Sequence, residues 1–350
     1  MCTEYDEVAA LQQNLTLADL WLDGMAQGAA TAGLAVQYCM PYPNDVLKAA
    51  WLPAVTNIRA TNDYFHADNQ WAIGATAMLY DALGVLPFKD GFYSSTNLQV
   101  GGQTEGPETE PNLHALMATL STDMVGPMDG IGLLNASRVM TACRKDGTIL
   151  KPDAPVKPVD TCFLASNGLG TTPESCFLYQ TYSMVPGMAS PVYYFFDNNP
   201  LNHPGLSPAM LGLSSDDASG FVVYNWYSGS VVAWDESTEP LSLSPGYEGH
   251  AYAVVSPIFN LSLTAGGSRT RLAFLGEASG KFVSVSTLRF PSITSTATSV
   301  TVKVLGMAGE VVQVCSALDT GVDAADTWTV QCKKVAFDHD DEVRSVQLGS

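Results

Sequence analysis

Residues 34–63 read LAVQYCMPYPNDVLKAAWLPAVTNIRATND, and their pattern decides the fold class. An apolar run at 34–40 is followed by a Pro/Asn turn at 41–44 and a short helical stretch through Trp51. A second apolar run at 54–58 then ends in the polar segment 59–63. Two short buried runs joined through a helix are the pattern of a βα unit, because parallel strands need a crossover connection. Upstream, Leu17, Leu20, Trp21, Met25 and Ala29 recur at helical spacing within 17–33, after an extended stretch at 1–6 that ends in acids. Downstream, the same reading predicts a helix over 71–84, a strand over 86–93, a helix over 113–120, a strand over 123–126 and a helix over 135–143. Strands alternating with helices imply a parallel sheet.

The character changes near Asp146. Residues 151–158, KPDAPVKP, carry three prolines and read as a semi-rigid linker. Beyond it the helical period disappears, and 221–227, 230–234, 251–255, 271–274, 281–285, 299–305 and 310–315 alternate as strands between Gly, Pro and Ser turns. The expected organisation is an α/β domain over 1–150, a linker over 151–160 and an antiparallel all-β sandwich over 161–350.

Composition limits the function. A chain of 350 residues with 46% hydrophobic and only 15% charged side chains can bury a core and is too apolar to be disordered. A net charge of −19 opposes a phosphate-neutralising surface, so no nucleic-acid partner is expected. No run approaches the roughly 20 apolar residues of a membrane span, and no membrane partner is expected. The first residues lack the basic and apolar regions of a signal peptide, although three N-x-S/T sequons, at Asn14, Asn135 and Asn260, fit a parent protein in the secretory pathway. Seven dispersed cysteines without CxxC spacing give no reason to expect a metal. Cys162 with Cys176 can close a small loop and Cys315 with Cys332 can staple two strands; buried free thiols are the plainer reading, since free Cys behaves as a small apolar residue.

Acids placed just after apolar strands matter most, because active sites over parallel βα sheets gather at the C-terminal strand ends. Asp6, Asp63 and Asp90 hold such positions. Two carboxylates converging on one sugar ring are the machinery of glycoside hydrolysis. The plainer role of such an acid is to cap the next helix.

Several motifs in one order carry a resemblance. Arg59-Ala60-Thr61-Asn62-Asp63-Tyr64 is similar to the R-x-x-x-D element of the α-galactosidase/raffinose-synthase-type retaining glycoside hydrolases, and residues 34–41, LAVQYCMP, resemble the preceding strand with its sugar-site cysteine. Lys89-Asp90-Gly91-Phe92, the stretch from Gly126-Pro127-Met128-Asp129, and Asp146-Gly147-Thr148-Ile149-Leu150 resemble later elements of that clan. The resemblance implies the last five βα units of a (βα)8-type barrel followed by a β-sandwich. It implies Asp6 as nucleophile, Asp63 as acid/base, and Glu4, Tyr38, Cys39, Arg59, Asp90 and Asp129 as substrate-binding residues. An oligosaccharide or other α-glycoside is the implied substrate, with no cofactor. This chain has Glu4-Tyr5-Asp6 where the clan has K-x-D, and Cys39-Met40-Pro41 where it commonly has C-E-W. Both departures touch sugar recognition, so a non-catalytic carbohydrate-binding relative or an inactive truncated glycosidase is the alternative.

Overall fold

The computed structural model describes residues 8–64, 73–99, 107–166, 178–198, 207–208, 220–234, 243–246, 248–262, 269–278, 280–319 and 328–349. The chain divides into two units, Met1–Leu134 with Pro155–Lys157, and Asn135–Ala154 with Pro158–Ser350.

The first unit contains α1 (Ala9–Gln13), α2 (Leu15–Thr31), β1 (Val36–Tyr38), α3 (Pro43–Ala49), β2 (Val55–Arg59), α4 (Gly74–Ala82), β3 (Leu86–Phe88) and α5 (Pro111–Leu120). Local chemistry sets the helix starts. Asn14 caps α2 by accepting the Thr16 N–H at 3.0 Å. Pro43 supplies a preset φ in the first turn of α3, and the Asp45 carboxylate reaches back to the Tyr42 N–H at 3.0 Å. The strands form a parallel sheet in the order β1-β2-β3, with Tyr38 opposite Ile58 and Arg59 opposite Phe88. Tyr38 and Ile58 pack into a core with Leu22 and Ala26 of α2, Val46 and Ala49 of α3, and Tyr80 of α4. Asn57 and Arg59 alternate to the opposite face, because successive strand side chains point to opposite sides. There the Asn57 amide donates to Gln37 at 3.2 Å and to the Asp123 carboxylate at 2.6 Å.

The expected partial (βα)8-type barrel is corrected by this topology. Among the described residues only three strands run parallel, no barrel closes, most pairings are antiparallel, and strand outweighs helix at 34% against 20%. The expected strand at 123–126 is reduced to one parallel bridge between Phe92 and Pro127. The bridge is closed by Phe92 N–H to the Gly126 carbonyl at 3.2 Å and by Met128 N–H to the Phe92 carbonyl at 2.9 Å. The expected strand at 1–6 lies outside the described residues.

The second unit contains α6 (Ala136–Met140), β4 (Lys157–Pro158), α7 (Asp160–Ser166), β5 (Leu178–Ser183), β6 (Val192–Asp197), β7 (Phe221–Asn225), β8 (Val231–Trp234), β9 (Ala251–Ser262), β10 (Arg269–Gly276), β11 (Ser292–Ser295), β12 (Val300–Gly306), β13 (Val311–Asp319), β14 (Thr329–Ala336) and β15 (Glu342–Leu348). One sheet follows the order β14-β13-β10-β9-β6-β5-β4, with β7 beside β9 and β8 beside β7, and a second follows β11-β12-β15. The long β9 pairs with β6 and β7 through its first half and with β10 from Ile258 onward. Pro257 sits at that change of neighbours, where a missing N–H is tolerated. Arg289, fully buried, holds Glu277 at 2.8 Å and Glu310 at 2.5 Å and donates to the Leu305 carbonyl. The structure starts this unit at Asn135, before the proline-rich segment, because Arg144 and Lys145 bind the carbonyls of Leu288 and Ala308.

Cys315 and Cys332, directly opposite in the β13–β14 ladder, form a disulfide, which replaces the free-thiol reading there. Cys162 is also disulfide-bonded, Cys39 and Cys143 are free, and Cys176 lies outside the described residues. The bridge closes a loop of sequence separation 17, for which chain entropy gives roughly 3 kcal/mol. Replacing Cys315→Ser and Cys332→Ser together is expected to lower stability by about that amount in urea unfolding, and an unchanged midpoint would show that the link does not constrain the unfolded chain.

Candidate functional site

The polar groups of the first unit collect where β2 and β3 end. Arg59 is the last residue of β2, and its side chain is only 7% exposed. Its Nη2 lies 2.8 Å from Asp63 Oδ1 and its Nη1 lies 3.3 Å from Asp90 Oδ2. One buried guanidinium therefore holds the acids that follow two neighbouring parallel strands.

The two acids are held differently. Asp90 Oδ2 also accepts the Tyr64 N–H at 3.0 Å, its Oδ1 accepts the Gly91 N–H at 2.9 Å, and its own N–H donates to Thr61 Oγ1 at 3.0 Å. Both of its oxygens are committed, and it clasps the two strand-end loops together. Asp63 is 47% exposed, is anchored through Oδ1, and its Oδ2 has no partner among the described residues. The Arg59 Nε likewise finds no acceptor among the described residues. The site thus sets a half-exposed carboxylate against a buried guanidinium.

Beneath these groups lies a buried polar cluster that sequence reasoning missed. The Tyr64 hydroxyl donates to Glu108 and accepts the Tyr93 N–H at 3.3 Å. Glu108 also lies 3.5 Å from Nε2 of His114, a residue of α5. Burial, reinforced by the Glu108 hydrogen bond, raises the Tyr64 hydroxyl far above its ordinary value, so it stays a neutral donor. Lys89, fully buried just after β3, donates to the Asp90 carbonyl at 3.1 Å. Its Nζ lies 5.5 Å from the Tyr64 ring centre and 5.3 Å from that of Phe92. Burial lowers its ammonium to about 7, against the opposing pull of Asp90 and Glu108. Two signals were available in the sequence: a lysine directly after the buried Leu-Pro-Phe run, and a lone histidine in the apolar segment 113–120.

The other expected site residues are dispersed. Tyr38 is fully buried in the helix-facing core, opposite the face that carries Arg59, which takes it out of the Arg59 cluster. Cys39 is an exposed free thiol just beyond β1. Asp129 accepts the Ser94 N–H at 2.9 Å and the Gln99 amide at 3.3 Å, so it pins the 94–99 loop. Asp6 and Glu4 lie outside the described residues. No group of three or more potential metal ligands occurs among the described residues.

Lys89 makes stability depend on pH. Its charged form is disfavoured in the folded state, so between about 7 and the unperturbed 10.5 the unfolded chain binds more protons. Stability is therefore expected to rise as pH rises through that window, by up to ~1.4 kcal/mol per pH unit. Lys89→Met should flatten the rise and raise the urea midpoint at pH 7; a slope equal to the parent's would remove Lys89 as its source. Comparison with protein-family models and with curated proteins finds no match to this chain.

Proposed function

We propose that this protein is a retaining glycoside hydrolase acting on α-glycosides by double displacement. The observation that carries the reading is the state of Asp63: a carboxylate 47% exposed, just after β2, with one oxygen held against buried Arg59 and the other without a partner among the described residues. A proton-transfer group needs that combination of fixed direction and free oxygen. Asp6 attacks the anomeric carbon and forms a glycosyl-enzyme. Asp63 gives its proton to the departing oxygen, then takes one from the water that releases the sugar. Arg59 and Asp90 are positioning residues in this scheme: the buried guanidinium holds Asp63 and Asp90 at the ends of β2 and β3. The motif resemblance supports the same reaction class.

A second reading, sugar binding without turnover, is favoured by Met40. This residue is 53% exposed and adopts a left-handed conformation with φ 48°, at the place where the resembling enzymes have a sugar-reading Glu. A thioether does not replace the two oxygens of a carboxylate as a hydroxyl acceptor.

Aryl α-glycosides with good and poor leaving groups separate the two readings. Asp63→Asn is expected to slow hydrolysis of the poor leaving group by roughly 10²- to 10⁴-fold while sparing the activated one more, since only the first needs a proton donor. Equal losses on both would remove Asp63 from the acid role. Glycoside binding without turnover by the parent protein would select the second reading, and neither binding nor turnover would reject both.

A further inference from the structure

We infer that this chain is N-glycosylated at Asn14 and Asn260 and left unmodified at its third sequon, Asn135. The acceptor sequence is present at Asn14-Leu15-Thr16, Asn135-Ala136-Ser137 and Asn260-Leu261-Ser262. Their surroundings differ in ways that matter for a bulky substituent on the side-chain nitrogen.

Asn14 is exposed and stands just before α2. Its Oδ1 accepts both the Thr16 N–H at 3.0 Å and the Thr16 hydroxyl at 2.7 Å. Both bonds are made by the oxygen and neither by Nδ2, so the cap stays intact after modification of the nitrogen. Asn260 is exposed on β9 beside Leu261, which is 2% exposed. Strand alternation puts Leu261 toward the core and Asn260 toward solvent. Asn135 is half-buried, caps α6 by accepting the Arg138 N–H at 3.1 Å, and is engaged in a further interaction. At a half-buried side chain a bulky glycan would have to displace the groups that cover it.

The cysteines point to the same compartment. Cys315–Cys332 is a disulfide and Cys162 is disulfide-bonded, as expected where chains are oxidised during secretion. The donor class is an oligosaccharide linked through diphosphate to a lipid. Asparagine Nδ2 forms a bond to sugar C1 as the C1–O bond to the diphosphate breaks. The lipid diphosphate leaves with the electron pair, and the amide gives up one proton to a base of the transferase.

The test uses the protein isolated from the cells that make it. Enzymatic deglycosylation in heavy-oxygen water converts each formerly glycosylated Asn to a labelled Asp, read by peptide mass mapping against an undigested control. Label at Asn14 and Asn260 and none at Asn135 is the expected result. Missing label at either Asn14 or Asn260, or label at Asn135, overturns the inference.

Discussion

The arrangement of the first unit depends on one side chain, the Arg59 guanidinium, bound to two carboxylates that arrive from different strands. At 7% exposure it has given up most of its hydration, and such a cation is tolerated only when opposite charge stands against it. Asp90 meets it from the end of β3 and Asp63 from the turn after β2. The constraint acts in both directions. The acids keep Arg59 buried, and Arg59 fixes where the two loops leave the sheet. Asp90 extends the hold to the Tyr64 and Gly91 backbone, so the strand ends are joined through side chains where no ladder bond reaches.

Buried charge recurs throughout the chain, with different consequences. In the second unit Arg289 is enclosed by Glu277 and Glu310 and by the Leu305 carbonyl, so its donors are matched and the cluster fixes the turns that meet there. Lys89 in the first unit is less well matched: a backbone carbonyl and two aromatic faces take the place of a direct carboxylate contact. A group held this way costs stability in its charged form. Lys89 sits between the Asp90 backbone and the Tyr64 and Phe92 rings, beside the Tyr64–Glu108–His114 cluster.

What was legible in the sequence follows from how each segment satisfies its backbone. The segment 34–63 was legible because its strands are apolar, its helix opens on Pro43 with Asp45 in the first turn, and β1, α3 and β2 appear where the pattern puts them. That Asp63 and Asp90 follow neighbouring strands was legible; that one buried guanidinium holds both was not, because Arg59 reaches Asp90 across the sheet. The barrel was not, because apolar patterning at 123–126 does not report that only one bridge, Phe92 to Pro127, forms there. Residues 281–285 alternate like a strand yet join no sheet. Their backbone is met by side chains instead: Trp226 donates to the Lys281 carbonyl, Tyr252 to that of Phe282, and Tyr194 to that of Val285. Strand β6, VYYFFD, failed for the opposite reason, since a strand buried on nearly every residue shows no alternation. The Tyr64–Glu108–His114 cluster brings Tyr64 to residues more than forty positions away, and of its members only the lone histidine in the apolar segment 113–120 gave a local signal.

The central claim is that Asp63 and Asp90 belong to one carbohydrate site organised by Arg59. Carboxyl-carbon NMR of the aspartate-labelled protein, titrated with an aryl α-glycoside, tests it directly. The Asp63 and Asp90 signals are expected to shift together along one binding curve, while Asp129, which pins a separate loop, stays in place. Shifts of only one of the pair, shifts along two different curves, or no shift of either at a glycoside concentration that saturates the protein would contradict it.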